Sequence, residues 1–431
     1  MSKELWAVAG GRTVGHLTQS KGKIDFWYEE EWRRNDDRYP LSLSMPVDIE
    51  RHADLRVRPF LEGLLPDNRW IRRRWGSQFG VSENNPFALL QHVGEDCAGA
   101  VQFVPADRLD ALTQAARQPD TVSWLTDAEV AERLRILATD NSAWRLAGDA
   151  GQFSLAGAHA KTAMTFDGRR WGIPSGRTPT THILKPPVPG FDGFAENEHV
   201  CLELARELGV PAAASTVVHF EDQVAIAVER FDRRVEAGKW TRIHQEDLCQ
   251  SLTVHPDRKY ENEGGPGVGQ IVDLLRGYSS APDADVWTFV RALIFNWLVV
   301  GTDAHAKNYG VLIDAHDSVR LAPLYDVASA LPYPATMPLR KLKLAMKIGG
   351  EYLVSRIGGR HWRALAELHG LTPTDVLTEA HRMAVATPES MEGVRDRAMA
   401  GGLSTPIIDA LATGTAARAR ECAEGVERAL G

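Results

Sequence analysis

Cysteine is scarce. The 431 residues hold four, at Cys97, Cys201, Cys249 and Cys422, and no two form a CxxC pair. That spacing offers neither a disulfide framework nor a zinc site, so reduced, buried thiols are expected. Positive charge is not in excess either. A net charge of -8 argues against a surface that coats nucleic acid, while leaving room for a local basic patch. Long apolar runs are missing, since the most apolar stretch, Ala292 to Val300, is far too short to span a membrane. Met1 to Trp6 shows no basic region leading into an apolar one, so a signal peptide is not expected and a cytoplasmic location is. No internal repeat or low-complexity tract is visible.

The rest is ordinary globular composition, 44% hydrophobic and 25% charged. Length suggests two or three domains and a core that needs no staple. Short runs broken by glycine fill the first hundred residues, among them Trp6 to Ala9, Val14 to Leu17 and Ile24 to Tyr28. They predict a small mixed sheet. DNRWIRRRW, Asp67 to Trp75, can form a cationic helix on which Arg72, Arg73 and Arg74 point in different directions, so a solvated surface is expected. Pro105 to Asp120 has the polarity of a linker. Thr126 and Glu129 make a capping box before an amphipathic stretch ending near Ala138. Cys201, Leu204, Ala205 and Leu208 have helical spacing, and Gly209 ends that helix. Helical patterns dominate after Arg233. Thr372 and Pro373 suit an N-cap and first helical residue, and Thr413 to Leu430 a final helix. A β-rich front and a helical back give an α+β class.

The chemistry concentrates around Asp303. Val286 to Val300 predicts a buried helix stopped by Gly301. Thr302-Asp303-Ala304-His305-Ala306-Lys307-Asn308 follows, then an apolar strand from Tyr309 to Ile313. Asp314 to Asp317 suits a hairpin turn, and the return strand leads through Pro323 to Leu324-Tyr325-Asp326. A hairpin brings the chain back, so Asp326 is expected near Asp303 and Asn308. Phosphoryl transfer needs a carboxylate to take the proton of an attacking hydroxyl and oxygen ligands for magnesium. Protein kinases supply these as D-x-x-x-x-N and a later Asp. Asp303, Asn308 and Asp326 match that pattern, and Lys307 can neutralise phosphate charge. Taken alone the pattern also fits a capped loop with surface carboxylates. A zinc reading of Asp303 and His305 lacks a third ligand at matching spacing.

A kinase also needs a lysine on a strand. Thr180 to Lys185 is a short β-rich run ending in Lys185, whose carboxylate partner could be Glu198 or Glu203 on the next helix. Val224 to Val228 then leads to Glu229-Arg230-Phe231, the place of an adenine-binding hinge. Ser154 to Thr162 is rich in small residues that let backbone N–H groups approach phosphate. It is not a Walker A loop, since the glycine before Lys161 is missing. Gly264 to Gly269 fails the GxGxxG spacing and is expected to be an irregular loop.

These segments, in this order, resemble the HipA family of bacterial serine/threonine kinase toxins. The motifs are PLSLSMP (Pro40 to Pro46), GLLPDN (Gly63 to Asn68), GEDCAGAVQF (Gly94 to Phe103), SLAGAHAKTA (Ser154 to Ala163) and THILKPP (Thr181 to Pro187). NEHVCLELARELG (Asn197 to Gly209), AVERFDRR (Ala227 to Arg234), HQEDLCQ (His244 to Gln250), KYENEGGPG (Lys259 to Gly267), TDAHAKNYGV (Thr302 to Val311) and LAPLYDVASA (Leu321 to Ala330) complete the set.

The resemblance implies a two-lobed, kinase-like fold with an added N-terminal mixed α/β subdomain. Its parts would be an N-terminal subdomain at 1–110, a nucleotide-binding lobe at 111–232 and a helical catalytic lobe at 233–431. It implies ATP and magnesium, with Asp303 as catalytic base and Asn308 and Asp326 as metal ligands. Lys185 would contact phosphate, Glu229, Arg230 and Phe231 would form the hinge, and Ala156, Gly157, Ala158, His159, Ala160 and Lys161 the phosphate loop. His305, Ala306, Lys307 and Tyr325 fall inside motifs that line the nucleotide site.

Ser154 matches the serine that members phosphorylate on themselves. Phosphate there would add about -1.5 to -2 charge and repel the nucleotide. Where members often carry Gln-Glu, this chain has His159-Ala160, a departure that bears on loop conformation and on Ser154 modification. The family implies a HipB-like helix-turn-helix antitoxin, operator DNA bound mainly through it, and a protein substrate such as glutamyl-tRNA synthetase, with growth arrest as the result. A co-repressor without catalysis and a small-molecule phosphotransferase are the competing expectations.

Overall fold

Alternation decides the first sheet. In Lys23–Tyr28, Ile24, Phe26 and Tyr28 turn inward while Lys23, Asp25 and Trp27 turn outward. A computed structural model of the chain describes residues 4–113, 121–140, 143–144, 153–157, 159–316 and 318–430. It divides into two compact, interleaved units: Met1–Pro186 with Val218–Asp257 and Gly310–Arg320, and Pro187–Val217 with Arg258–Tyr309 and Leu321–Gly431.

In the first unit a five-stranded sheet runs in the order Arg51–His52, Lys23–Tyr28, Arg12–Ser20, Glu4–Ala9 and Gln102–Pro105. Every pairing in it is antiparallel, so the expected mixed sheet is corrected. The helices Asp54–Gly63, Arg69–Phe79 and Pro86–Val93 add Phe60, Trp75 and Phe87 to the same core as Leu5, Leu17 and Phe26. Asn68 caps the second of these helices through its side chain, and Gly80 ends it at φ 66. Its arginines diverge as expected, but Arg72 is not a solvated surface residue. It is half-buried and binds Glu62 and the Pro66 carbonyl. The expected linker also folds in part, since Leu109–Thr113 is a short helix that buries Leu112.

A second sheet carries three of the segments expected from the sequence to bind nucleotide. Its order is Ser215–Phe220, Gln223–Glu229, His182–Lys185, Thr162–Phe166, Trp171–Ser175 and Thr121–Leu125. Helix Asp127–Thr139 opens with the expected Thr126/Glu129 capping box and sets Val130, Ala131 and Leu134 against Met164, Ile173 and Leu184. His244–Asp247, Gly310–Asp314 and Ser318–Leu321 form a three-stranded sheet, with Asp317 outside the described residues.

The second unit is mainly helical. Helix Phe194–Glu207 buries Cys201, Leu204 and Ala205, and Gly209 follows its end at φ 80. Helix Pro282–Val299 buries residues on all sides, Phe289, Leu293, Phe295 and Trp297 among them. Each large apolar side chain so buried contributes roughly 1.5–3 kcal/mol. The expected stop at Gly301 moves by one residue, because Val300 takes the left-handed conformation at φ 56. Gly301 serves a different purpose, since a Cβ there would lie 2.2 Å from the Asn296 Oδ1. Pro373–Ala400 starts at the expected Thr372, although no side-chain cap bond forms, and the last helix begins earlier than expected, spanning Pro406–Leu430. All four cysteines are free and buried. Among the described residues no helix is long and apolar enough to cross a membrane.

Candidate active site

In the first unit, the strand leaving the small-residue loop, the strand ending in Lys185 and the strand leading to Glu229 are immediate neighbours. Thr162 pairs with Leu184, and Ile226 pairs with Lys185. Antiparallel pairing thus collects three of the sequence-predicted nucleotide segments on adjacent strands.

The loop itself is pinned at its start. Phe153 and Leu155 belong to the core, and Ser154 between them is fully buried. Its Oγ donates to the Leu64 carbonyl at 2.8 Å, and its N–H donates to the Asp96 carbonyl at 3.1 Å. Gly157 sits at φ 105, a conformation that favours glycine, and its carbonyl accepts from the Asp67 N–H at 3.0 Å. Lys161 is buried, lies over the Trp144 ring and donates to the Ala156 carbonyl at 2.6 Å. His159 and Ala160 are half-buried. Ala158 lies outside the described residues.

The segment after the Glu229 strand is anchored by ions. Arg230 donates to Asp232 and Thr180, and Arg233 pairs with Asp96 at 2.9 Å and Asp232 at 2.9 Å. Arg242 also reaches Asp96, at 3.0 Å. Burial alone would raise the Asp96 carboxyl. Arg233, Arg242, Arg230 and the Thr180 hydroxyl outweigh it and hold that carboxyl below the usual range. Burial pushes Arg233 down to about 10, so it stays charged at neutral pH. The Arg230 N–H is already given to the Thr181 carbonyl at 2.9 Å. Arg230 therefore holds the segment from inside, while Glu229 is exposed and Phe231 half-buried.

The second unit brings the Asp303 loop together. Asp303 is about half exposed, at 53% of its side chain, while His305, Ala306, Lys307 and Asn308 are buried. The Asn308 Nδ2 donates to the Asp303 carbonyl at 2.7 Å, and the His305 N–H donates to the same carbonyl at 2.8 Å. Tyr260 Oη donates to Asp303 Oδ1 at 2.6 Å, and its ring meets His305 edge-on at 4.9 Å. One carboxylate oxygen is thereby engaged in a fixed direction. Tyr260 belongs to the KYENEGGPG motif, yet spacing gave it no role.

Tyr325 Oη donates to the Lys307 carbonyl at 2.7 Å, tying the Asp303 loop to the residue before Asp326. Asp326 stands at φ 58, a costly conformation for a residue with a Cβ. The chain on both sides of it is tied down. Leu324 exchanges backbone bonds with Pro211 and Ala213. Asn197, from helix Phe194–Glu207, donates to the Ser329 carbonyl at 2.8 Å and accepts from the Ser329 N–H at 2.9 Å. Ser329 Oγ donates to the Val299 carbonyl at 2.5 Å. On the same helix Glu203 is tied to Arg206, and Glu198 is buried.

A divalent ion fits this donor set. Asn308 donates through its Nδ2 to the Asp303 carbonyl, so its amide oxygen is the atom it would offer an ion, and Asp326 would offer a carboxylate. Among the described residues no group of three or more His, Cys, Asp or Glu is clustered for a metal. One carboxylate and one amide oxygen suit magnesium, which takes few protein ligands and completes its shell with water and phosphate.

Residues 153–391 match the profile of the HipA-like C-terminal domain, and residues 5–104 that of the HipA N-terminal domain. The Sinorhizobium fredii protein Y4mE is 38% identical over 366 residues, 84% of either chain. The serine/threonine-protein kinase toxin HipA of Shewanella oneidensis is 29% identical over 381 residues, 85% of this chain and 83% of its own. A solved complex of Shewanella oneidensis HipA with HipB and operator DNA contains a chain that matches at a TM-score of 0.82 and 25% identity, covering 99% of both. The expected α+β, kinase-like fold with an added N-terminal subdomain is the fold of this chain.

Proposed function

The chain belongs to the HipA family, and from that premise we propose that it is an ATP-dependent serine/threonine protein kinase serving as the toxin of a type II toxin–antitoxin system. The observation that carries the reading is the Asp303 carboxylate. It is exposed, fixed through one oxygen by Tyr260, and set on a loop that Asn308 closes. In the reaction a substrate hydroxyl oxygen bonds to the γ-phosphorus, the bond from that phosphorus to the bridging oxygen breaks, and ADP leaves. Asp303 orients the hydroxyl and takes its proton.

Lys185 and Lys161 hold ATP phosphates, the backbone of Gly157 and its neighbours approaches them, and the Glu229 to Phe231 segment meets adenine. Glu198 is the proposed carboxylate partner of Lys185. Asn308 and Asp326 hold Mg2+, which supplies charge neutralisation on the phosphates. His305, Ala306, Lys307 and Tyr325 line the nucleotide. In this reading 1–110 is the added subdomain, 111–232 the nucleotide-binding part and 233–431 the catalytic part.

Ser154 is the proposed site of self-modification. Its burial supports a switch, because a buried hydroxyl bonded to Leu64 becomes a phosphoacceptor only when the loop leaves its seat. Once phosphorylated, it cannot return without burying about -1.5 to -2 charge. The Shewanella complex supports a HipB-like antitoxin as partner and operator DNA reached through it. The proposed substrate is an aminoacyl-tRNA synthetase such as glutamyl-tRNA synthetase, and the proposed location is the cytoplasm.

Induced expression of the wild type and of Asp303→Asn in a bacterial host, followed by phosphosite mapping, tests the reading. The wild type should arrest growth and phosphorylate Ser154 and a synthetase, and the variant should do neither. Arrest by both proteins, with no new phosphosite, would instead support a co-repressor without catalysis.

A further inference from the structure

Tyr260 directs Asp303 only if its own backbone is held, and the acidic residue next to it supplies the hold. Tyr260 opens the tight turn Glu261–Glu263, which Gly264 ends in the left-handed conformation at φ 88. The Tyr260 carbonyl accepts from the Glu263 N–H at 3.0 Å and from the Gly265 N–H at 2.9 Å. Gly265 has no room for a side chain, since a Cβ there would lie 2.1 Å from the Arg258 carbonyl oxygen. The Lys259 carbonyl accepts from the Ala306 N–H at 3.4 Å, so the turn also touches the Asp303 loop. All but the last of these contacts are internal, and they set the shape of the turn rather than its place.

Glu261 sets its place. The Glu261 Oε2 accepts from the Lys347 backbone N–H at 2.6 Å, across 86 residues of sequence. Its Oε1 lies 3.8 Å from the Lys347 Nζ, within ion-pair range but too far for a hydrogen bond. Lys347 belongs to strand Lys343–Ile348, which buries Leu344, Met346 and Ile348 and pairs with Glu351–Leu353. The turn is thereby tied to a packed element. The bond is charge-assisted, about twice as strong as one between neutral groups. Gly267 makes room for it, because a Cβ there would lie 2.7 Å from the Glu261 Oε1.

We propose that Glu261 is a positioning residue for phosphate transfer, acting through Tyr260 on Asp303. The proposal rests on the reading of Asp303 as the base. The phenol oxygen sits at the far end of a rigid ring, so a small rotation of the turn moves it further than the backbone moves. A 2.6 Å bond tolerates little of that, and without it the Asp303 carboxylate loses its fixed direction. A displacement of about 1 Å at reacting groups can cost on the order of 10²-fold in rate. Glu261 binds the strand rather than ATP, so its loss should lower kcat and leave KM for ATP unchanged.

Labelled-phosphate transfer from Mg-ATP, at varied ATP, to the protein that the wild type marks in a bacterial lysate tests this. Glu261→Ala should lower kcat about fivefold or more, with KM for ATP within about twofold of the wild type. Glu261→Gln keeps an oxygen for the Lys347 N–H and should stay within about threefold of the wild type. In Tyr260→Phe, Glu261→Ala should add less than about twofold, because the path to Asp303 is already cut. A merely structural role would lower kcat alike in both backgrounds. Gly267→Ala serves if Glu261→Ala does not fold. Gly267 has a φ of -103 that suits alanine, and the added Cβ pushes the Glu261 carboxylate aside. It should lower kcat several-fold in the wild-type background and not in Tyr260→Phe. The proposal is overturned if Glu261→Ala keeps the wild-type kcat, if Glu261→Gln loses as much as Glu261→Ala, if the loss persists in Tyr260→Phe, or if KM for ATP rises with kcat unchanged. A wild type that marks no protein would overturn the reading of Asp303 and this proposal with it, whereas an active wild type matched by Glu261→Ala overturns the proposal alone.

Discussion

Tyr260 and Asp303 are joined by a 2.6 Å hydrogen bond from the phenol to Oδ1, across 43 residues of sequence. The bond fixes the direction of the carboxylate through that oxygen. In the proposed reaction Tyr260 takes no proton and acts by positioning Asp303. Tyr260→Phe should lower kcat about tenfold or more, the worth of one hydrogen bond to a charged group, with little change in KM for ATP. Steady-state kinetics at varied ATP checks this; a rise in KM with kcat unchanged would place Tyr260 in binding instead.

Gly157→Ala should weaken ATP binding more than it weakens the fold. At φ 105 an added Cβ is strained, and it would lie 2.5 Å from the Lys161 Nζ. The lysine end can move, so the displacement falls on a side chain proposed to hold phosphate. Nucleotide titration should show at least a several-fold loss, with a stability cost of about 1–2 kcal/mol.

Asp96→Ala should destabilise the first unit by about 3–5 kcal/mol, because Arg230, Arg233 and Arg242 would keep buried charge with less compensation. The pH dependence follows from the depressed Asp96 carboxyl. Its contribution is complete above the ordinary value of 3.8 and is lost as pH falls through the lower folded value. Urea unfolding from pH 7 downward should show a loss of stability in acid that Asp96→Ala lacks.

Glu246 should give the opposite slope. It is buried, and its Oε1 accepts from the Leu43 N–H and the Ser251 hydroxyl, while its Oε2 meets no donor among the described residues. Burial pushes its carboxyl up to about 7 from 4.5. The folded state therefore binds the proton more tightly than the unfolded one. The resulting stability is complete below about 4.5 and is lost as pH rises through about 7. Glu246→Gln keeps the accepting oxygen, so its stability should exceed that of the wild type at pH 8, with the difference shrinking toward pH 5.

What could be seen in sequence was local. Asp303, Asn308 and Asp326 stood out because an apolar helix, a fixed spacing and a hairpin lie in one continuous stretch. The Thr126/Glu129 box and the Cys201 to Leu208 face were visible for the same reason. Tyr260 was not, because its partner lies 43 residues away and a tyrosine has no spacing rule with a distant carboxylate. The bond from Arg233 to Asp96 crosses 137 residues, a pairing that no local spacing marks. Helix Asp54–Gly63 was hidden by Pro59 inside it and by a weak apolar face. The left-handed Asp326 has no sequence signal, and Ser329, three residues on, is bonded to Asn197 across 132 residues, a contact that only the folded chain creates.

The central claim is that Asp303 serves phosphate transfer from ATP. Labelled-phosphate transfer from Mg-ATP, with wild type and Asp303→Asn side by side and both starting unphosphorylated, tests it most directly. Wild type should label Ser154 and a protein in a bacterial lysate, and Asp303→Asn should lose about 10²–10⁴-fold in rate, the contribution of a general base. Equal labelling by both proteins, or none by a wild type that binds ATP, would contradict it.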